Sequence, residues 1–137
     1  MPAVLGNDPL SSKQWHLKST LGSDPNKILS EFDGSGVKIG IYDDGLDKAH
    51  ADLRANYDAS LELTYGGVRA DPSLTGGTHG TAVGGIIAGT ANNGTGGTGI
   101  ATGAKIAGVN IFSGAAYNNY IASIQAMSKF DVTNSSW

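Results

Sequence analysis

Two segments of the chain carry side chains that could move a proton. Asp43 and Asp44 follow the apolar run of residues 37–42, and His79 precedes a stretch of small residues, Gly80–Gly85. A carboxylate bonded to one imidazole nitrogen leaves the other nitrogen free to take a proton from a hydroxyl nucleophile. Taken singly, such an aspartate is more often a turn former or a helix cap, and a lone histidine is more often structural. The hypothesis therefore depends on both segments facing one cleft.

The elements that must position these residues alternate between strand and helix. The predicted elements are helices over 12–17 and 25–31, a strand over 37–42, a helix over 79–89, a strand over 105–112, a helix over 117–127 and a strand over 131–137. The glycines at 84 and 85 predict a helix that lies close to its neighbours. Apolar spacing places Tyr117 and Tyr120 on the buried face of the helix over 117–127. Residues 54–78 are predicted to form a loop with one short hairpin. This order predicts an α/β fold with a parallel sheet and a ligand site at the strand carboxyl ends.

Composition excludes several classes of function. The chain has 137 residues, a net charge of −3 and no cysteine, so it lacks the basic surface that nucleic acid needs and has neither disulfides nor a catalytic thiol. No Gly-x-Gly-x-x-Gly follows a strand and no Gly-Lys-Ser/Thr loop occurs, which disfavours nucleotide binding. The N-terminus lacks the order of a secretory signal, and no apolar run approaches membrane-spanning length. We expect no nucleic-acid partner and no membrane partner.

Both motifs, taken in order, resemble those of a known superfamily. Asp43-Asp44-Gly45-Leu46-Asp47 and His79-Gly80-Thr81-Ala82-Val83-Gly84-Gly85 resemble the Asp and His boxes of subtilisin-like serine peptidases. Residues 7–10, 14–17, 91–101 and 134–137 resemble segments of the kexin/furin branch. The resemblance implies a three-layer α/β fold, with 1–137 as the N-terminal part of one catalytic domain, divided into a lead-in (1–36) and an α/β core (37–137). It also implies a secreted or extracytoplasmic protein.

By that resemblance the chain is part of a serine endopeptidase. Asp43 is then the triad aspartate and His79 the general base, whereas the oxyanion asparagine and the nucleophilic serine belong to a further catalytic-domain segment that must act as partner. The isolated chain is therefore expected to be inactive towards its polypeptide substrate. Asp44 is expected to attract a basic side chain at the second substrate position, and Ser136 and Trp137 to lie along the substrate.

Two departures from the kexin/furin pattern make strict dibasic specificity doubtful. Gly76 stands where that branch has an acidic residue, and Ala82-Val83 stands where it has Arg-Cys.

Calcium is the cofactor that the resemblance implies. The family pattern assigns it the side chains of Asp8, Asp52 and Asn93 and the carbonyls of Ala91, Thr95 and Gly97. A glycine-rich loop can turn several carbonyls inward, and calcium takes six to eight oxygen ligands. An ordinary Asn-Gly loop is the alternative at this site. For the whole chain, the alternative is a non-catalytic calcium-binding subtilisin-like module that serves as a scaffold for another chain.

Overall fold

A computed structural model of the chain describes residues 7–21, 24–70, 78–112 and 114–137. Its helices are α1 (Trp15–Leu21), α2 (Pro25–Glu31), α3 (His79–Ala88), α4 (Gly114–Asn118) and α5 (Tyr120–Gln125). Its strands are β1 (Lys38–Asp43), β2 (Thr64–Tyr65), β3 (Val68–Arg69), β4 (Lys105–Asn110) and β5 (Val132–Ser135). Within these ranges, no helix has the length and apolar character needed to cross a membrane.

The main sheet has three parallel strands, with β1 between β4 and β5. Asp43 is in register with Asn110, and Tyr42 is in register with Ser135. β1 is buried from Ile39 to Asp43, as expected for a strand covered on both faces. Because the strands run in one direction, their carboxyl ends lie along one edge. The predicted α/β fold, a parallel sheet flanked by helices, is confirmed.

The side chains of β1 alternate between two hydrophobic clusters, one on each face of the sheet. The first cluster contains Ile39, Ile41, Leu46, Leu53, Ala88, Ala104 and Ile106, with Val83 and Ile87 of α3 packed against it. The second contains Tyr42, Leu63, Ala70, Ala107, Val109, Ile111, Ala116 and Phe130. The Tyr42 hydroxyl donates to the carbonyl of Ser123 at 2.9 Å and so ties α5 to the central strand. The sheet is thereby held between α3 and the α4–α5 region.

Helix α3 turns a face of small residues, Gly80, Gly84 and Ala88, towards the sheet. The close approach expected of its glycines holds at Gly84, where an added Cβ would lie 2.9 Å from Leu46 Cδ1. It does not hold at Gly85, whose Cβ position has no heavy atom within 4 Å. Gly84 thus allows α3 to pack closely against Leu46, which follows the end of β1.

The single helix predicted over 117–127 is wrong. The structure has two short helices, α4 and α5, separated at Asn119 and followed by a 3₁₀ turn at Ala126–Lys129. Tyr117 and Tyr120 are 59% and 44% exposed, not buried. The buried residues here are Ala116 and Ser123, whose hydroxyl donates to the Ala116 carbonyl at 3.1 Å. Small residues form the inward face, so apolar spacing identified the wrong side.

Candidate active site

Asp43 is the last residue of the central strand and is 1% exposed. Its carboxylate accepts hydrogen bonds from the backbone N–H of Asp44 at 2.8 Å and from the hydroxyl of Ser136 at 3.3 Å. Both donors are uncharged, and both come from chain that follows a strand end. A buried carboxylate needs such partners, because an unbonded one costs several kcal/mol. The strand edge therefore fixes the position of this carboxylate.

His79 is the first residue of α3 and faces Asp43 across the edge of the sheet. Its Nδ1–H donates to the two carboxylate oxygens of Asp43 at 2.9 and 3.0 Å. Its side chain is 57% exposed, whereas that of Asp43 is 2% exposed. With the proton on Nδ1, Nε2 is an acceptor on the exposed part of the ring. The pair can orient the imidazole as a base towards a ligand that approaches its exposed side.

The same contacts change the acid–base behaviour of the imidazole. The hydrogen bond to Asp43 is the main influence that raises the pKa of His79 above its ordinary value, followed by the negative charge of Asp43 and, more weakly, that of Asp44. Partial desolvation acts in the opposite direction. The ring accordingly binds a proton more tightly than a free histidine does.

Asp44 lies beside the Asp43–His79 pair and bonds to the backbone at the start of α3. Its carboxylate accepts the backbone N–H of Gly80 at 2.8 Å and of His79 at 3.1 Å. Thr78, which precedes α3, makes no side-chain cap of its own. The helix-capping alternative considered for Asp43 thus applies to Asp44.

Gly80 allows α3 to approach the strand end this closely. A Cβ at position 80 would collide with the backbone carbonyl oxygen of Gly45 and lie 2.9 Å from the Cβ of Asp43. A side chain here would push the helix start, and with it His79, away from the strand. Glycine is therefore required by the geometry of the site.

Ser136 and Trp137 follow β5 and lie at the same edge. The single Ser136 hydroxyl hydrogen is shared between two acceptors, Asn134 Oδ1 at 2.8 Å and Asp43 Oδ2 at 3.3 Å. The Trp137 ring is 53% exposed and packs edge-to-face on Phe112, with centroids 5.9 Å apart. The structure thus brings Ser136 to the Asp43–His79 pair and leaves Trp137 open to a ligand.

A second cluster forms around the loop of residues 91–97. Asp8 and Asp52 are 3% and 6% exposed. Asp8 accepts the backbone N–H of Asn92, Asn93 and Gly94 at 2.8–3.1 Å and the Thr98 hydroxyl at 2.7 Å. Both carboxylates therefore converge on the predicted calcium loop.

Asp52 completes this cluster from the other side. It accepts Asn93 Nδ2 at 2.8 Å and the Gly97 N–H at 3.1 Å, and a Cβ on Gly96 would collide with its carboxylate. Asn93 Oδ1 accepts the N–H of Thr95 at 2.8 Å.

The loop fits a cation in some respects and not in others. Two buried carboxylates whose described partners are uncharged donors, and a glycine cradle that a side chain would fill, suit calcium. In the described ranges, no three acidic or histidine side chains gather as a metal set, so carbonyls such as those of Ala91, Thr95 and Gly97 would have to complete it. Asn93 turns its amide nitrogen towards Asp52, and its oxygen would have to take that place.

Comparison with known proteins places the chain in a family. The Subtilase family matches residues 34–137. The chain belongs to the subtilase family. Proprotein convertase subtilisin/kexin type 4 of Mus musculus is 39% identical over 121 residues, which cover 82% of this chain and 18% of that protein. Furin-1 of Xenopus laevis is 39% identical over 115 residues, which cover 78% of this chain and 15% of that protein.

Solved structures agree with this assignment. Fervidolysin from Fervidobacterium pennivorans, a keratinolytic enzyme related to subtilisin, superposes with a TM-score of 0.75 and 29% identity over 96% of this chain and 21% of its own. A serine protease of Aeromonas sobria superposes with a TM-score of 0.62 and 32% identity over 77% of this chain and 19% of its own. The resemblance to subtilisin-like peptidases and to their kexin/furin branch is confirmed. This subtilase chain spans about a fifth of the length of these relatives.

Sequence reasoning missed two residues of the subtilase site. Asn110 donates from Nδ2 to the carbonyl of Asp44 at 2.9 Å and so joins β4 to the Asp43–Asp44 turn, while Phe112 packs on Trp137. Asn110 ends β4 and Phe112 ends the strand predicted over 105–112, so the rule that strand carboxyl ends meet at one edge could have found them. Gly76, which bears on substrate preference, lies outside the described residues.

Proposed function

We propose that the complete polypeptide carrying this chain is a serine endopeptidase, in which Asp43 and His79 are two members of a Ser-His-Asp triad. One observation carries the proposal. The His79 Nδ1–H donates to a buried carboxylate while Nε2 remains an acceptor on an exposed ring. That is the arrangement in which imidazole removes a proton from an attacking serine hydroxyl.

The reaction follows from these contacts. Nε2 takes the hydroxyl proton as the serine oxygen bonds to the scissile carbonyl carbon, and the imidazolium gives that proton to the leaving amine as the C–N bond breaks. A water molecule then attacks the acyl carbon while losing a proton to Nε2, and the imidazolium returns that proton to the serine oxygen as the acyl C–O bond breaks and the carboxylic acid product leaves. The Asp43 carboxylate holds the tautomer and stabilises the imidazolium. The serine and the oxyanion donors come from the remaining catalytic-domain segment, so the isolated chain should not hydrolyse peptides.

Labelling by a fluorophosphonate tests the triad, because that reagent reacts with an activated serine. The complete polypeptide should be labelled, and His79→Ala should abolish labelling. His50→Asn is the matched control, because it removes an exposed imidazole but keeps an acceptor for the Asp52 N–H, which His50 Nδ1 accepts at 3.2 Å. Labelling that survives in His79→Ala would contradict the assignment of the base.

Calcium binding by the loop of residues 91–97 is the second part of the proposal. Asp8 and Asp52 bring two buried negative charges to this loop. A bound cation would offset those charges and tie the lead-in at Asp8 to the core, which suits a chain without cysteine. A ligand that binds only the native state stabilises it by about 2.7 kcal/mol when present at about 100 times its Kd.

Thermal unfolding of the complete polypeptide in calcium, in magnesium and in chelator tests this part. Calcium alone should raise the Tm, and Asp52→Asn should remove most of that rise. Asp58→Asn is the control, because Asp58 caps the nearby turn at Ala59–Leu61 without facing the loop. Equal Tm values in calcium and chelator would exclude the site. A calcium-stabilised protein that no fluorophosphonate labels would instead support the non-catalytic scaffold function.

A modest preference for a basic residue at the second substrate position completes the proposal. The Asp44 carboxylate is charged and partly exposed, but each of its oxygens already accepts an amide N–H. Exposed ion pairs contribute only about 0–1 kcal/mol. Two peptides that differ only by lysine or alanine at this position should therefore differ by less than about tenfold in kcat/KM.

A further inference from the structure

Asp44 connects three parts of the Asp43–His79 pair. Its backbone N–H donates to Asp43 Oδ1 at 2.8 Å, and its carbonyl accepts Asn110 Nδ2 at 2.9 Å. Its carboxylate reaches forward to the first two N–H groups of α3 at 2.8 and 3.1 Å. The residue is therefore bonded to the strand edge on one side and to the backbone of His79 on the other.

The first N–H groups of a helix have no partner within the helix. A carboxylate that accepts two of them both fixes the helix start and suits its partial positive charge. Partial burial is the largest single influence and acts to raise the pKa of Asp44. The hydrogen bonds from Gly80 and His79, together with smaller contributions from Asp43 and the charge of His79, bring the pKa below its ordinary value. Asp44 is accordingly an anion at neutral pH, so both of its oxygens can accept an N–H.

We propose that Asp44 is a positioning residue for the general base: its carboxylate holds the first turn of α3 so that the His79 ring meets Asp43. This inference rests on the proposed peptidase function. It gives Asp44 a task that does not depend on which residue the substrate places nearby. Recognition of a basic substrate side chain is then a secondary effect of its charge.

Substrate choice separates the two tasks. If Asp44 positions His79, Asp44→Ala should lower kcat by about 10- to 100-fold, the loss expected when a catalytic group is misplaced by up to about 1 Å. The loss should be the same for peptides with lysine or alanine at the second position, with KM changed by less than about twofold for the alanine peptide. A defect confined to the KM of the lysine peptide would overturn the proposal.

Two further variants complete the design. Asp44→Asn keeps one acceptor oxygen for one N–H but loses the charge, so its kcat should lie between those of wild type and Asp44→Ala. Wild-type kcat in Asp44→Asn on both peptides would also overturn the proposal, even if Asp44→Ala failed to fold. Asp24→Ala is the matched control, because the Asp24 carboxylate caps α2 through the Lys27 N–H at 3.1 Å, far along the chain from the site. It should leave kcat unchanged.

NMR of the histidine rings gives a readout that does not need catalysis. Asp43 and Asp44 are the charged groups that influence His79 among the described residues. Asp44→Ala should lower the pKa of His79 and weaken the low-field signal of its Nδ1–H, whereas Asp24→Ala should change neither. A His79 pKa and Nδ1–H signal identical to wild type in Asp44→Ala would refute the positioning role. If the wild-type protein hydrolyses no peptide, yet Asp44→Ala still lowers the His79 pKa and weakens the Nδ1–H signal, only the peptidase function would be refuted.

Discussion

The substitution Gly80→Ala tests the geometry of the site most directly, because it adds one carbon atom between α3 and β1. That atom would collide with the Gly45 carbonyl oxygen and lie 2.9 Å from Asp43 Cβ and 3.2 Å from Asp44 Oδ1. Carbon atoms prefer separations of about 3.5–4.0 Å, so relief of the Asp43 contact alone requires a shift of about 0.6–1.1 Å. The carbonyl oxygen belongs to the backbone, so the helix start must move.

The matched control is Gly85→Ala in the same helix, where the new Cβ meets no heavy atom within 4 Å. In a helix interior, alanine gains about 0.8–1.0 kcal/mol of helix propensity over glycine. Gly85 lies in the interior of α3 and Gly80 in its first turn, so Gly80→Ala gains no more propensity than Gly85→Ala. The overlap should make Gly80→Ala less stable than Gly85→Ala by about 1–3 kcal/mol.

Two measurements decide the outcome. Urea denaturation of the chain measures the stability difference, and kcat of the complete polypeptide should fall by about 100-fold for Gly80→Ala alone, because His79 shifts by up to about 1 Å. Equal unfolding free energies and equal kcat values for the two variants would show that α3 does not lie against the strand end as described.

Three further predictions concern charge. Because its contacts with Asp43 raise the pKa of His79, activity should increase with pH through a midpoint above the ordinary histidine value of about 6.5, and a kcat/KM profile with a lower midpoint would contradict this. Because the pKa of His79 is raised in the folded state, the protonated ring stabilises that state below the unfolded pKa, and this contribution is lost as pH rises through the folded pKa. The Tm should therefore fall over the same pH range in which His79 loses its proton, as measured by histidine titration. Asp43→Asn should lower the His79 pKa and reduce kcat by about 10⁴-fold; peptide kinetics and ring NMR check both effects, and a loss below tenfold would argue against a triad.

The parts of the site that sequence predicted depend on short stretches of chain. A buried strand that ends at Asp43 and a helix that begins at His79 both follow from local residue types. The general rule that parallel strands place ligands at their carboxyl ends then brings the two together. Local propensity was sufficient here because each residue sits at an element boundary, where burial changes abruptly.

The parts that were wrong or missed depend on contacts between distant segments. Tyr117 and Tyr120 have the spacing of a buried helix face, yet they are exposed, and the buried residues of α4 and α5 are Ala116 and Ser123. Residue spacing reports that a helix is amphipathic but does not report the distance to the layer beneath it. That distance is set by the strands and the hairpin, which lie elsewhere in the sequence.

The contacts of Asp44 show the same limit at the Asp43–His79 pair. Two adjacent aspartates after a strand are chemically alike. The family resemblance assigned Asp43 to the imidazole, but nothing in the sequence assigned Asp44 to the helix backbone. The end of β1 separates them, because Asp43 is its last residue and Asp44 lies in the bend that follows. Asp43 points to the ring, and Asp44, one residue further, reaches the N–H groups of the same helix. Each carboxylate therefore restrains a different part of one residue, the ring of His79 or its backbone, and the base is held only when both are present.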